Sequence, residues 1–377
     1  MNRQGTSVFT NGLIWFGAAV SVAEIEAGIQ SGKNWAALLL GHLLGGAMLF
    51  AIGLMGAQSR KNAMETTTSA FGKYGSKFFA ILNLCQLLGW TSVMIAQGSA
   101  AISGLKLAVP SAITSAVIAA LVACGVIVGL KSAARIGSIA MVLLVALVAV
   151  LSFKLFGNAE SASATSHALP FLAAFELSVA MPLSWLPLIS DYTKEAEKPV
   201  AATAASALAY TAMSIWMYAI GMAISTLGPE ATLPSAILAM GLGIPGIVII
   251  LFSTVITTFF DAYSSGESAK TIWNKANSKI VGVVVCALGV VLAVSGIMER
   301  YVNFLYLISS VFAPMAVVLL VSHYIVKKQA RIWNLISWLA GFTVYQFAGN
   351  SPIGATITAM FVAGALALFG KLSKKAI

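Results

Sequence analysis

Four carboxylates stand inside long apolar stretches: Glu24 and Glu26 in one, Glu176 in a second, Asp261 in a third. No lysine or arginine lies at comparable depth to neutralise them. An ionised side chain at the centre of a bilayer costs about 2.5–3.5 kcal/mol even on a lenient insertion scale. Such acids must carry a proton, face water, or meet a cation or a cationic ligand. Glu24 closes the run Gly17-Ala-Ala-Val-Ser-Val-Ala-Glu24, small and polar enough for a helix to open and expose its backbone. The competing reading is a protonated Glu24 bonded to a neighbouring helix. Glu26 lies nearer the outer end. Glu176, also toward the outer side, reads as structural or vestibular.

Other polar and aromatic residues fall at similar depth. Ser178-Val-Ala-Met-Pro182-Leu-Ser-Trp185-Leu-Pro187 carries two prolines five residues apart, which removes two helical donors and frees two carbonyls. Protein or a water-filled cavity must satisfy those groups at membrane depth. Thr257 and Thr258 offer hydroxyl oxygens, hard ligands suited to Na⁺ beside carbonyls of an opened helix, and Asp261 follows one turn later. Serine and threonine also bond back to their own helix, which is the bland alternative. Trp90 and Trp185 sit near mid-depth, whereas tryptophan favours membrane interfaces. Two such indoles suggest a stacking clamp for a flat ring, against the alternative of core packing. Asn83, Gln86 and Gln97 add amides able to read a ring edge.

The elements that must position these groups follow from composition. Of 377 residues, 59% are hydrophobic and 9% charged. Soluble domains run near about 25% charged, so a soluble enzyme and a disordered chain are both excluded. The net charge of +10 is too thinly spread for a nucleic-acid face. Spanning helices need about 20 apolar residues. Twelve such segments can be counted, at 9–30, 35–57, 76–105, 111–130, 136–156, 170–190, 200–227, 236–266, 280–297, 302–325, 331–348 and 353–370. Met1 to Val8 is too short to hold a signal peptide before the first of them. With the N-terminus inside, 18 of the 22 basic residues fall on cytoplasmic segments and 4 outside. That asymmetry predicts both termini in the cytoplasm of a multi-pass cell (inner) membrane protein. Gly41 with Gly45, and Gly125 with Gly129, form small-xxx-small pairs for helix packing. Cys85, Cys124 and Cys286 lie in apolar stretches and read as small packing residues; no Cys/His cluster suggests a metal site.

Spans 1 and 6 both read as broken, and they are five apart. An odd offset makes two five-span halves of opposite orientation, and paired broken helices in matching places point to a transporter's central site. The expected division is a first repeat at 1–165, an inverted repeat at 166–326, and peripheral spans at 327–377.

The sequence resembles the nucleobase:cation symporter-1 family. The resemblance is carried by Ile14-Trp-Phe-Gly-Ala-Ala-Val-Ser-Val-Ala-Glu24, Gly89-Trp90, Ser190-Asp-Tyr-Thr-Lys194, and Thr257-Thr258 with Asp261-Ala-Tyr-Ser-Ser-Gly266. Within the family it is most similar to the hydroxymethylpyrimidine permease (CytX) group. The resemblance implies the LeuT-type fold of ten helices in two inverted halves plus two peripheral helices. It also implies import of a flat heterocycle coupled to Na⁺ or H⁺ by alternating access. Family substrate positions carry over to Trp90, Trp185 and Glu24, with Gln97 and Asp261 as further candidates. A sodium site would map to backbone groups near Val20 and Ala23 and to Thr257 and Thr258, with the span 8 register open by a residue.

A carboxylate at Glu24 can accept an amino hydrogen and bind a protonated ring nitrogen on the same edge, bonds about twice as strong as neutral ones. This favours an aminopyrimidine over a uracil-like ring. The expectation is a cation-coupled importer of hydroxymethylpyrimidine, a thiamine precursor, working as a monomer. The alternatives are a cytosine or other nucleobase permease, or an amino-acid or solute carrier on the same fold. An enzyme acting on lipids would need a nucleophile–base pair or metal ligands near a membrane surface, and none is visible, so no catalytic residue is expected.

Overall fold

The computed structural model describes residues 5–104, 108–157, 169–228, 230–327 and 331–372, with the side chains of 130–141, 371 and 372 left aside. Arg3, Lys106, Lys328, Lys374 and Lys375, and the repeat boundary at 165–166, lie outside the described residues. The described chain is all α-helical. The first half contains α1 (Val8–Ala19), α2 (Val22–Ser31), α3 (Trp35–Ser59), α4 (Ala63–Thr66), α5 (Thr68–Ser103), α6 (Ser111–Val128) and α7 (Leu130–Gly157). Then follow α8 (Phe171–Ser184), α9 (Leu186–Thr193), α10 (Pro199–Ile224), α11 (Leu233–Ala239), α12 (Gly243–Ile272), α13 (Ser278–Val294) and α14 (Tyr301–Leu320). The chain closes with α15 (Arg331–Phe347) and α16 (Ala355–Leu372).

Among the described residues, seven helices are long and apolar enough to cross a bilayer, and the pair α1–α2, bent by 51°, makes an eighth. The other expected spans correspond to the shorter apolar helices Val142–Gly157, Ser278–Val294 and Ala355–Gly370 and to α15. Two boundaries differ from expectation. The helix of the third expected span, α5, begins at Thr68, with a kink at Gly72 (φ 70°), because a polar segment extends the apolar one. The expected span from 236 divides into α11 and α12, since Gly241 and Gly243 both adopt positive φ between them.

Close packing rests on glycine. α2 lies against α10, where a Cβ on Gly28 would meet the Tyr218 backbone and one on Gly221 would collide with the Ile25 carbonyl. α3 lies against α8, with Gly41 facing Ser178 and Gly45 facing the Pro182 ring, so the first expected small-residue pair forms a helix seam. The second does not. A Cβ on Gly125 would lie 3.4 Å from the Phe259 ring, but one on Gly129 would meet nothing among the described residues, and Gly129 instead ends α6 at φ +97°. Cys286 is buried, whereas Cys85 and Cys124 are exposed on the helix surface rather than packed.

Candidate functional site

The first helix breaks at Val20 and Ser21. Val20 still donates to Phe16 O, but its own φ/ψ of −78°/76° ends the helix. Ser21 then caps α2, its Oγ accepting from the Glu24 amide at 3.3 Å. The small residues before the break leave room for this turn, and the cap places Glu24 in the first turn of α2, where a helix favours an acid. The carbonyls at the break find hydroxyls. Ser253 Oγ donates to Val20 O at 3.3 Å, and Tyr301 OH donates to Ala23 O at 2.9 Å.

The second interruption is slighter. α8 and α9 meet at Trp185, whose φ/ψ of −91°/−10° remains in the right-handed region. Phe171–Thr193 forms one span, and no bend above 40° divides it. Leu188 N donates to Trp185 O instead of to Ser184 O, which tightens one turn. The freed Ser184 carbonyl accepts from Gln86 Nε2 at 2.9 Å, and the Pro187 carbonyl from Asn83 Nδ2 at 3.1 Å. Asn83 also donates to Ser268 Oγ at 2.8 Å and accepts from Gln86. These amides, expected to read a ring edge, are therefore committed to the backbone of the interrupted helix.

One cavity lies between the two interruptions. Ala18, Ser21, Ala23 and Glu24 line it from the first, and Met181, Ser184, Trp185 and Leu188 from the second. Trp90 and Met94 enter from α5, and Thr257 and Asp261 from α12. Opening included, its empty space is about 370 Å³. Of the expected substrate residues, Glu24, Trp90, Trp185 and Asp261 meet here. Gln97 does not line the cavity; it is buried on α5 with both amide atoms unpartnered.

The two indoles have different partners. Trp90 packs edge-on to Phe304 at 5.3 Å and Tyr301 at 6.2 Å. Trp185 packs edge-on to Trp15 at 5.4 Å and Tyr210 at 6.0 Å. Trp15 also meets Tyr192 and Tyr210 at 5.9 Å, and it is fully buried beneath Trp185. Reading depth along the sequence singled out Trp185 but missed Trp15. Its position on the face of α1 that carries Ala18 and Ala19 is the signal that could have found it.

The two cavity acids differ in occupation. Tyr210 OH donates to Glu24 Oε1 at 2.6 Å and Ser214 Oγ to Oε2 at 2.7 Å. Asp261 is buried, and among the described residues its carboxylate takes no hydrogen bond. Glu176 lies apart from the cavity: both of its oxygens bond Thr356, through the amide at 2.9 Å and through the hydroxyl, at the N-terminus of α16. Glu26 bonds Gln30 on its own helix at 3.0 Å.

The expected sodium ligands are also occupied. Thr257 and Thr258 donate to the Ser253 and Thr254 carbonyls of their own helix, at 3.0 and 2.6 Å. Thr257 lines the cavity and Thr258 does not. The α12 hydroxyl that reaches Val20 is Ser253, one turn earlier than expected, and the adjacent Thr254 hydroxyl is buried with no partner among the described residues. The Ser190–Lys194 segment closes α9. Ser190 and Thr193 hydroxyls donate to Ile52 and Gly53 carbonyls, Asp191 accepts from the Ala63 amide, and Lys194 pairs with Glu267 at 2.8 Å.

No family model matches the chain, and no curated protein matches it in sequence. Solved structures do. The inward-facing conformation of Mhp1 is 17% identical, with a TM-score of 0.79 over 99% of this chain and 92% of that one. A structure of Mhp1, described as a nucleobase-cation-symport-1 family transporter in a closed conformation with bromovinylhydantoin bound, is 18% identical, with a TM-score of 0.80 over 98% and 94%. A Na⁺-coupled sialic acid symporter in a substrate-bound outward-open state is 12% identical, with a TM-score of 0.69 over 95% and 89%. The chain therefore has the fold of these helical membrane transporters.

Proposed function

We propose that this chain is a cation-coupled secondary transporter of the nucleobase:cation symporter-1 family, importing an aminopyrimidine by alternating access. In this reading it spans the inner membrane twelve times, with both termini in the cytoplasm. It is built as two inverted five-helix halves, 1–165 and 166–326, plus peripheral helices at 327–377. The observation that carries the reading is the cavity itself. Two helix interruptions, two indoles and two carboxylates from four separate elements converge on it. Trp90 and Trp185 hold the ring.

The amino edge belongs with Asp261, because the Glu24 oxygens already serve Tyr210 and Ser214. A carboxylate without a bond, facing a cavity, is the stronger acceptor for an amino group and a protonated ring nitrogen. Hydroxymethylpyrimidine and cytosine both present that edge. The coupling ion has two candidate places. Glu24 offers a proton site. The unpartnered Thr254 hydroxyl, next in sequence to Ser253, whose own hydroxyl bonds the Val20 carbonyl, supports a sodium site one turn from Thr257 and Thr258.

Uptake of labelled hydroxymethylpyrimidine and of cytosine into cells tests the reading, with and without an imposed Na⁺ or proton gradient. Trp90→Ala and Asp261→Asn should each lower uptake at least tenfold at equal expression. Normal uptake by both variants would sink the site assignment, and competition by amino acids instead of pyrimidines would sink the substrate class.

A further inference from the structure

Behind Glu24 runs a chain of buried polar side chains that crosses four helices. Glu24 Oε2 meets Ser214 Oγ at 2.7 Å, and Ser214 Oγ meets His42 Nε2 at 2.6 Å. His42 Nδ1 lies 2.8 Å from Ser178 Oγ and 3.1 Å from Leu38 O. Glu24 is 1% exposed, and Ser214, His42 and Ser178 are 0% exposed. The chain joins α2, α10, α3 and α8, the helices that carry both interruptions and their two closest glycine seams.

Counting hydrogens along this chain limits where they can sit. Leu38 O only accepts, and it receives the Ser178 hydroxyl hydrogen at 2.8 Å. While Ser178 is turned to that carbonyl it has no hydrogen for His42 Nδ1, so Nδ1 carries one; when Ser178 turns its hydrogen to Nδ1, 2.8 Å away, Nδ1 accepts and Nε2 carries the hydrogen. In the first of these cases the other ring nitrogen, Nε2, can donate or accept. Ser214 has one hydrogen and two neighbours, Glu24 and His42.

With the proton present, two arrangements satisfy every group. In the first, protonated Glu24 donates to Ser214 Oγ, and Ser214 donates to Nε2 of a neutral His42. In the second, an imidazolium His42 donates from Nε2 to Ser214 Oγ, and Ser214 donates to a Glu24 carboxylate. Two hydrogens each shift by one bond between these states, and the total is the same. Remove that proton and one arrangement still satisfies every group. The Ser214 hydrogen goes to the carboxylate, Nε2 donates to Ser214 Oγ at 2.6 Å, and Ser178 turns its hydrogen from Leu38 O to Nδ1. The carboxylate is then unneutralised, which is costly at this depth.

We propose that Glu24, Ser214 and His42 together form the binding site of a single exchangeable proton. Its loss strips the hydrogen from His42 Nδ1 and turns the Ser178 hydroxyl from Leu38 O to that nitrogen, and its return reverses both. Transport enters only as the use made of the proton, and on that point the inference rests on the reading above.

The groups that face this site do not supply another counter-charge. α10 brings Tyr210, bonded to Glu24, and Tyr218, edge-on to the His42 ring at 4.7 Å. α14 brings Tyr301, bonded to the carbonyl of Ala23 beside Glu24. α12 brings Asp261 across the cavity, an acid that adds to the need for a proton. α2 itself brings Glu26, bonded to Gln30, and from α8 the site meets Ser178, while Glu176 is turned to Thr356.

The test uses the purified full-length protein, titrated with pH and read by two signals. The infrared band of a protonated carboxyl, assigned as the part lost in Glu24→Gln, follows Glu24. Nitrogen NMR of labelled histidine, assigned as the signal lost in His42→Gln, follows Nε2. In the wild type both signals should change together in one transition. Ser214→Ala removes only a hydroxyl. It should separate the two signals and move the Glu24 midpoint by about one pH unit, the point at which groups titrate as a pair. Independent wild-type midpoints, or a joint transition that survives Ser214→Ala, would overturn the proposal. If the joint transition is present but neither pyrimidine is taken up, the transport reading fails and the proton site stands.

Discussion

The two helix interruptions meet one cavity but are held by different chemistry. At the first, α1 and α2 bend by 51°, and the carbonyls of Val20 and Ala23 are met by the hydroxyls of Ser253 and Tyr301. At the second, α8 and α9 stay within one span, and Ser184 and Pro187 carbonyls are met by the amides of Gln86 and Asn83, which also bond each other. A hydroxyl can turn its hydrogen away and offer an oxygen, so the first break can exchange its internal bonds for a cation or a proton. Asn83 and Gln86 can offer an oxygen to a ligand there only by turning the whole amide and breaking the bond between them, so the second break is held more firmly and presents Trp185 on a stiffer helix. In the proposed reading, the chemistry of charge gathers at the bent helix and recognition of a flat ring at the straighter one.

Substitutions at matched positions can break this comparison. Gly221→Ala should have the largest effect. Its Cβ would enter backbone atoms of α2, with Ile29 N at 2.6 Å and Gly28 C at 2.8 Å, and backbone cannot step aside. A loss of about 3 kcal/mol is expected, at the upper end for overpacking, read by thermal unfolding of the purified protein. Gly45→Ala, on the other seam, meets only the Pro182 ring, which can pucker, and should cost about 1 kcal/mol. Equal losses would refute the idea that the first break rests on direct backbone contact.

Gln86→Leu should cost about 2 kcal/mol, because the buried Ser184 carbonyl and the Asn83 side-chain oxygen both lose a donor. Ser253→Ala removes a longer bond, 3.3 Å, and should cost about 1 kcal/mol or less. If Ser253→Ala proves the worse variant, the first break is as fixed as the second. Thr254→Val should be smallest, within about 0.5 kcal/mol, since the hydroxyl it removes is buried and unpartnered. It also sharpens the choice of ion. A rise in melting temperature on adding Na⁺, present in the wild type and absent in Thr254→Val, would assign a sodium site beside Val20. No Na⁺ response in either protein would leave the proton as the coupling ion.

Much of this site was legible before the fold. An acid among small residues marked Glu24, two prolines marked the helix around Trp185, and depth marked Trp90 and Asp261. What misled was the assumption that a polar residue at membrane depth faces a ligand. Asn83 and Gln86 face an interrupted backbone, because freed carbonyls need donors as urgently as a substrate does. Thr257 and Thr258 bond back along their own helix, and Ser253 takes the position assigned to them. His42 passed as an isolated histidine because its partners, Ser178 and Ser214, are 136 and 172 residues away.

The sequence by itself determined that this is an apolar helical membrane chain, which helices carry strain, and which acids must be neutralised. Those properties follow from local composition and from the cost of burying charge and unbonded backbone. Only the tertiary structure decided how each acid is neutralised. It gave Glu24 to Tyr210 and Ser214, Glu176 to Thr356, and left Asp261 facing the cavity. Partner choice depends on which helices meet at a given depth; a local small-residue pattern such as Gly41 with Gly45 marks a seam, but which distant helix it meets is not encoded locally.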